Sequence, residues 1–197
     1  MLGHWWSERG VRIDAIYAGP HQRQRETARL IAAAGGYPEP IACPELAEHD
    51  TPGILRSALP ALAKENPDLA REVGGADPFQ SVRPFQLVFA FAMLRWAGGG
   101  ALDEGVETHR DFCARVDGAL ARIRDAQGRG KTVVAVTSAG PVARALQSVL
   151  GLAHEATFRL NLIVANASVT DLRWRDGEIT LMGFNAVAHL VDRVTYR

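Results

Sequence analysis

Apolar residues alternate with polar or small ones over Ile13-Asp14-Ala15-Ile16-Tyr17, the period of a short strand. From Arg25 to Ala34 the spacing becomes that of a helix, which Gly35-Gly36 stop. Gly19-Pro20 is the joint between the two. Proline is pre-organised for a first helical position, so the helix is predicted to start at Pro20, with Arg23 in its first turn. Cations are mildly unfavourable at the positive end of a helix, so Arg23 and Arg25 there point to an anion seated among them. The plainer alternative is a pair of solvated arginines, one of them offset by Glu26.

The same sequence of events returns later in the chain. Lys131 to Thr137 is a continuous β-branched run of the kind carried by a strand buried on both faces. Ser138-Ala139-Gly140-Pro141 follows it, and a helix from Val142 to Leu150 is closed by Gly151. If the two strands run parallel in one sheet, both helix starts lie at one sheet edge, where open α/β sheets bind ligands. Two such starts converging on one anion favour a phosphate site at Arg23.

Between these units the pattern is helical. Leu55, Leu59, Leu62 and Leu69 mark a helix over Ile54 to Val73, interrupted by Pro60 and Pro67 and broken at Gly74-Gly75. A second apolar helix is predicted from about Pro78 to Trp96, with Phe79, Val82, Phe85, Val88, Phe89 and Ala92 on one stripe, ended by Gly98-Gly99-Gly100. Residues 54–97 therefore read as an excursion from the sheet. Its aromatic stripe is expected to be core, with a lid over the site or a homodimer face as the alternatives.

Met1 to Gly10 resembles the tail of an amphipathic helix, Pro38 to Pro44 is extended around Ile41, and Glu45 to Gly53 is a loop rich in acids and breakers. Thr108 with Asp111 forms a capping pair for a helix whose stripe is Phe112, Val116, Ala119, Leu120 and Ile123, ending near Gly128. Two strands, 167–174 and 178–182, are joined by an Asp176-Gly177 turn, a strong hairpin signal.

Composition narrows the function. The 197 residues fit one domain, and acidic and basic residues balance at 22 each with no basic run, so neither nucleic acid nor an anionic membrane is an expected partner. The longest apolar run, Leu87 to Leu94, is far short of the roughly 20 residues that a span needs. Cys43 and Cys113 are far apart and in no metal-type spacing, and the six histidines do not cluster. A reduced, cytoplasmic protein with no metal or organic cofactor is the expectation.

The run Tyr17 to Ala28 resembles the S-P-x-x-R-x-x-x-T-A signature of the histidine phosphatase superfamily, the phosphoglycerate mutase-like proteins. Further segments resemble that family in its own order: Leu46-Ala47-Glu48 its L-x-E, Gly105-Val106-Glu107 its G-E-S, Val136 to Gly140 its V-S-H-G-G, then Asn166 to Thr170, Phe184-Asn185 and His189-Leu190. The resemblance implies an α/β three-layer sandwich with a mostly parallel mixed central sheet, acting on a small phosphorylated molecule. It implies that Arg23 clamps the phosphoryl group beside Ser138, Ala139 and Gly140, and that Glu48 is the general acid. Two departures follow from the same resemblance. The family's nucleophile is the histidine of an R-H-G strand, and this chain contains no R-H-G; Ser138 stands where the second family histidine is expected.

Taken from Met1, the chain is therefore expected to show little or no phosphatase activity. Either an R-H-G strand precedes the sequence given, or the protein is a non-catalytic phospho-ligand binder, a pseudoenzyme. A remote alternative is a serine hydrolase, since Ser138, Asp171 and His189 occur in the order that α/β-hydrolases use.

Overall fold

The computed structural model describes residues 1–74 and 82–196. Three short strands, β1 (Ala15–Ala18), β2 (Ile41–Ala42) and β3 (Val133–Val136), form a parallel sheet in the order β2-β1-β3. The two strand-to-helix units are thus neighbours, with Ala18 opposite Val136 and the Gly19 N–H donating to the Val136 carbonyl at 3.0 Å.

Side-chain alternation makes this sheet the middle of three layers. Ile16, Ala18, Val134 and Val136 pack on one face against α2 (Gln22–Gly35), through Ala28, Ile31 and Ala32, and against α1 (Leu2–Ser7), through Leu2 and Trp6. Tyr17 and Val133 point the other way, to Ala119 and Ile123 of α6 (His109–Gln127). The expected α/β fold class is observed. The antiparallel pair, β4 (Val169–Arg175) and β5 (Glu178–Ala186), forms a two-stranded sheet of its own.

The excursion folds as α3 (Thr51–Glu65), α4 (Pro67–Gly74) and α5 (Val82–Ala97). The start expected at Pro78, with Phe79, lies outside the described residues. Ile54, Ala58, Phe89, Ala92, Met93 and Trp96 close a core with Phe112 and Val116 of α6 and Phe158 of α8 (His154–Ile163). Val88, Phe89 and Ala92 of the aromatic stripe are thus core, and the excursion is built into the largest apolar cluster among the described residues.

Four expectations are corrected. Helix α2 starts at Gln22 with His21 as its cap, not at Pro20, because the Gln24 side-chain oxygen accepts the His21 N–H at 3.0 Å and closes the turn there. Helix α3 runs through Pro60, since Ile54, Ala58 and Leu62 on one face hold it against the core. The stretch read as a loop contains a 3-10 turn at Pro44–Leu46 and the Asp50 cap of α3, whose carboxylate accepts the Gly53 N–H at 3.1 Å. Strand β3 is half-exposed rather than buried on both faces, because β1 is its neighbour on one side and the hairpin does not extend the sheet on the other.

Candidate phosphate site

Helix α7 (Ala139–Leu150) leaves β3 through Ser138, and α2 leaves β1 through Gly19-Pro20-His21. With β1 and β3 adjacent and parallel, both helix starts reach the same sheet edge. Arg23 is exposed in the first turn of α2, and its Nη2 donates to Ser138 Oγ at 2.9 Å. The residue predicted to hold an anion and the turn predicted to receive one are therefore in contact.

The 3-10 turn and the residues that follow it cross over the strand ends. The Leu46 carbonyl accepts from Thr137 Oγ1 at 2.7 Å and from Gln24 Nε2 at 3.3 Å, tying this segment to both helix starts. Arg115 of α6 grips it from the other side, donating to the carbonyls of Glu45 at 2.6 Å and Ala47 at 3.0 Å. Glu107 holds that guanidinium bidentately at 2.8 and 2.7 Å. Glu48 is delivered to the start of α7, where both its oxygens accept the Gly140 N–H, at 3.1 and 3.2 Å. The Glu48 side chain is only 7% exposed, so a carboxylate already sits at the positive end of this helix. Gly140, expected beside the phosphoryl group, gives its N–H to Glu48.

Glycine is required at two points of this corner. A Cβ on Gly19 would lie 2.7 Å from Gln24 Cδ and 2.8 Å from the Leu46 oxygen; one on Gly140 would run into Glu48 Oε1 and come within 2.7 Å of His49 Cδ2. His49 packs beside Glu48, its Nε2 3.5 Å from Oε1 and its Nδ1 2.9 Å from Thr51 Oγ1, with its ring edge-on to Trp96 and Phe112. His21 Nε2 is buried without a hydrogen-bond partner among the described residues, two positions before Arg23, and a buried nitrogen of that kind is costly unless a ligand or water satisfies it.

The later motif residues are structural pins. Asn185 accepts from the Ala165 N–H and donates to the Ile163 carbonyl, both at 2.8 Å, while His189 Nε2 lies 2.9 Å from the Ala167 oxygen. Ser138 is engaged by Arg23 and Gln24 and His189 by Ala167, an arrangement that lends the serine-hydrolase alternative no support. Among the described residues, no group of three or more His, Cys, Asp or Glu is placed to hold a metal ion, and no helix is long and apolar enough to cross a membrane.

Residues 90–187 match the family model for the histidine phosphatase superfamily (branch 1), a span that includes Ser138 and Gly140. Over residues 90–187 the chain is similar to the histidine phosphatase superfamily. The crystal structure of a candidate alpha-ribazole-5'-P phosphatase from Escherichia coli K-12 substr. MG1655 superposes with a TM-score of 0.57 at 16% identity, over 95% of this chain and 82% of that one. At that identity the likeness is one of fold. No curated protein matches the sequence.

Arg23 meets Ser138 and Glu48 meets Gly140, so that Arg23, Glu48, Ser138, Ala139 and Gly140 lie together at the two helix starts. Reading the sequence missed Gln24, Arg115 and His49. The signal for Gln24 was present: it lies on the stripe of Ala28, Ile31 and Ala32, a polar residue at an inward helical position. Arg115 and His49 had no comparable signal, since they act on backbone atoms or neighbours that only the tertiary fold supplies.

Proposed function

We propose that the corner between α2 and α7 binds the phosphoryl group of a small phosphomonoester, with Arg23 and Ser138 as donors and Glu48 at the leaving oxygen. The observation that carries this reading is the 2.9 Å contact between Arg23 and Ser138 at the adjacent ends of parallel strands, with the α7 N-terminus beside it. A planar guanidinium presents two N–H groups to two phosphate oxygens, and Ser138 adds a neutral hydrogen bond without adding charge. In this reading Glu48 protonates the oxygen that leaves with the alcohol, and afterwards takes a proton from water. The compartment that fits free Cys43 and Cys113 is a reducing one such as the cytoplasm.

Phosphoryl transfer through a phosphohistidine needs a nucleophilic histidine, and none of the six in this sequence stands in an Arg-His-Gly. In this reading residues 1–197 hold and protonate, while the nucleophile comes from a strand outside them or is not used. The second form, a phospho-ligand binder without turnover, is favoured by Ser138 at the histidine position and by the carboxylate already seated on Gly140.

One pair of assays separates these forms: titration with inorganic phosphate, and hydrolysis of p-nitrophenyl phosphate with a search for phosphohistidine, in the wild type and in Arg23→Ala. Arg23 is exposed, so the variant should fold. Phosphate binding that is lost in Arg23→Ala, without turnover, supports the binder. Arg23-dependent turnover supports an enzyme. A variant that changes neither binding nor turnover removes both.

A further inference from the structure

The hydrogen-bond valences around Gln24 assign it a task that follows from the phosphate-site reading but is not contained in it. Gln24 is 1% exposed and its amide has three partners. Oε1 accepts the His21 N–H at 3.0 Å, while Nε2 donates to the Leu46 carbonyl at 3.3 Å and to Ser138 Oγ at 2.8 Å. Two of these partners have fixed chemistry. A backbone N–H only donates and a backbone carbonyl only accepts, so the amide cannot be turned over without opposing N–H to N–H and oxygen to oxygen. Gln24 is therefore obliged to donate to Ser138.

Arg23 imposes the same condition from the second side. A guanidinium has donors only, and its Nη2 is 2.9 Å from the same hydroxyl oxygen. A serine oxygen has two acceptor positions and one proton. With both acceptor positions taken by donors that cannot change role, the Ser138 proton is turned away from Arg23 and Gln24.

We propose that Gln24 is a positioning residue for the phosphate site, holding the Ser138 hydroxyl in the one orientation in which its proton is presented to a phosphate oxygen. Gly19 is part of the same device. A side chain there would come within 2.7 Å of Gln24 Cδ, so the bare backbone at the end of β1 is what lets the amide reach across to Ser138. The arrangement supplies a neutral, pre-oriented donor at the position where Ser138 brings no charge of its own, with the cost of orienting the hydroxyl met in folding rather than on binding.

The test is a double-mutant cycle read by inorganic phosphate affinity, using wild type, Gln24→Met, Ser138→Ala and the double variant, with thermal melts confirming that each is folded. Gln24→Met keeps the volume and removes the donor. Each single variant should bind phosphate roughly three- to tenfold more weakly, the worth of one neutral hydrogen bond, and the double variant no more weakly than the poorer single one. A purely structural role for Gln24 would lower the melting temperature without this coupling in affinity. Gln24→Glu, which can only accept from Ser138, should weaken binding more than Gln24→Met does. Additive losses, or wild-type affinity in Gln24→Met or Gln24→Glu, overturn the proposal. Arg23→Ala, measured alongside, separates the two levels. If it binds phosphate like the wild type, the site reading itself has failed; if it loses binding while the cycle is additive, only the role of Gln24 has failed.

Discussion

Glu48 and Gly140 meet at the start of α7, where one backbone N–H is shared between both oxygens of a buried carboxylate, at 3.1 and 3.2 Å. The same carboxylate accepts the His49 N–H at 3.1 Å. A helix N-terminus favours a negative charge, and here the protein's own acid supplies it. In the proposed site an arriving phosphate would therefore meet a like charge at the place where the backbone would otherwise welcome it.

Glu48→Gln removes that charge while keeping the shape and an acceptor oxygen. At the few-ångström separations involved, relief of the repulsion should tighten inorganic phosphate binding by about tenfold or more, read by calorimetry. The same variant should abolish any phosphomonoester turnover, because an amide cannot act as general acid. Unchanged or weaker phosphate binding would mean that the carboxylate moves aside at no cost and does not compete for the site.

Arg115 is the reason Glu48 arrives where it does. The guanidinium spans the Glu45 and Ala47 carbonyls on one side and the Glu107 carboxylate on the other, a double fork that lysine cannot reproduce. Arg115→Lys is expected to cost about 1–3 kcal/mol of stability and to loosen the loop that carries Glu48. Hydrogen exchange is the direct check, since the Gly140 amide should exchange faster once its carboxylate partner is less firmly held. Wild-type protection at Gly140 would show that the loop is held without Arg115.

What could be read from the sequence divides by range. The Thr108 cap, the Asp176-Gly177 hairpin and the strand alternation over Ile13 to Tyr17 are local signals; the cap and the hairpin are found where they were read, and the strand at Ala15–Ala18. That Arg23 meets Ser138 and Glu48 meets Gly140 agrees with an order along the chain that resembles a family's. Burial of β3 was not legible, because a β-branched run encodes a strand but not the number of its neighbours. Likewise Pro20 looked like a helix start until the Gln24 side chain, which also reaches Leu46 and Ser138 elsewhere in the chain, set the cap at His21.

Below neutral pH the protein should lose stability through His109. Its ring lies edge-on to Trp96 at 4.8 Å and to His154 at 5.0 Å, inside the cluster that joins α5, α6 and α8. Burial, then the positive charge of His154, Arg144 and His49, lowers its pKa from 6.5 to about 4. The unfolded chain therefore binds a proton in the window between those values while the folded protein does not. Stability is fully present above pH 6.5 and falls as pH drops toward 4, by at most about 1.4 kcal/mol per pH unit for one such group. The urea midpoint should be lower at pH 5 than at pH 7.5, and His109→Phe should shrink the difference. Some of it should remain, because burial also lowers the His189 pKa. Equal midpoints at the two pH values in the wild type would remove His109 as the source.

The excursion of α3, α4 and α5 is open to a decisive test, because a lid and a core element respond differently to the same truncation. Met93 is fully buried, in a cluster with Phe89, Trp96, Phe112 and Phe158, and Trp96 is tied further by its indole N–H, which donates to the Glu107 carbonyl at 2.8 Å. Met93→Ala deletes buried atoms from a cluster to which four helices contribute, so the cavity cannot easily collapse and the expected loss is about 2–5 kcal/mol. For a chain of this size that lowers the Tm by on the order of 10 °C. Glu107 also braces Arg115, so the damage should spread to the loop that carries Glu48, and Gly140 should lose exchange protection together with α5. If Met93→Ala instead melts like the wild type and alters phosphate affinity alone, then 54–97 is a cover over the site whose packing adds nothing to the fold.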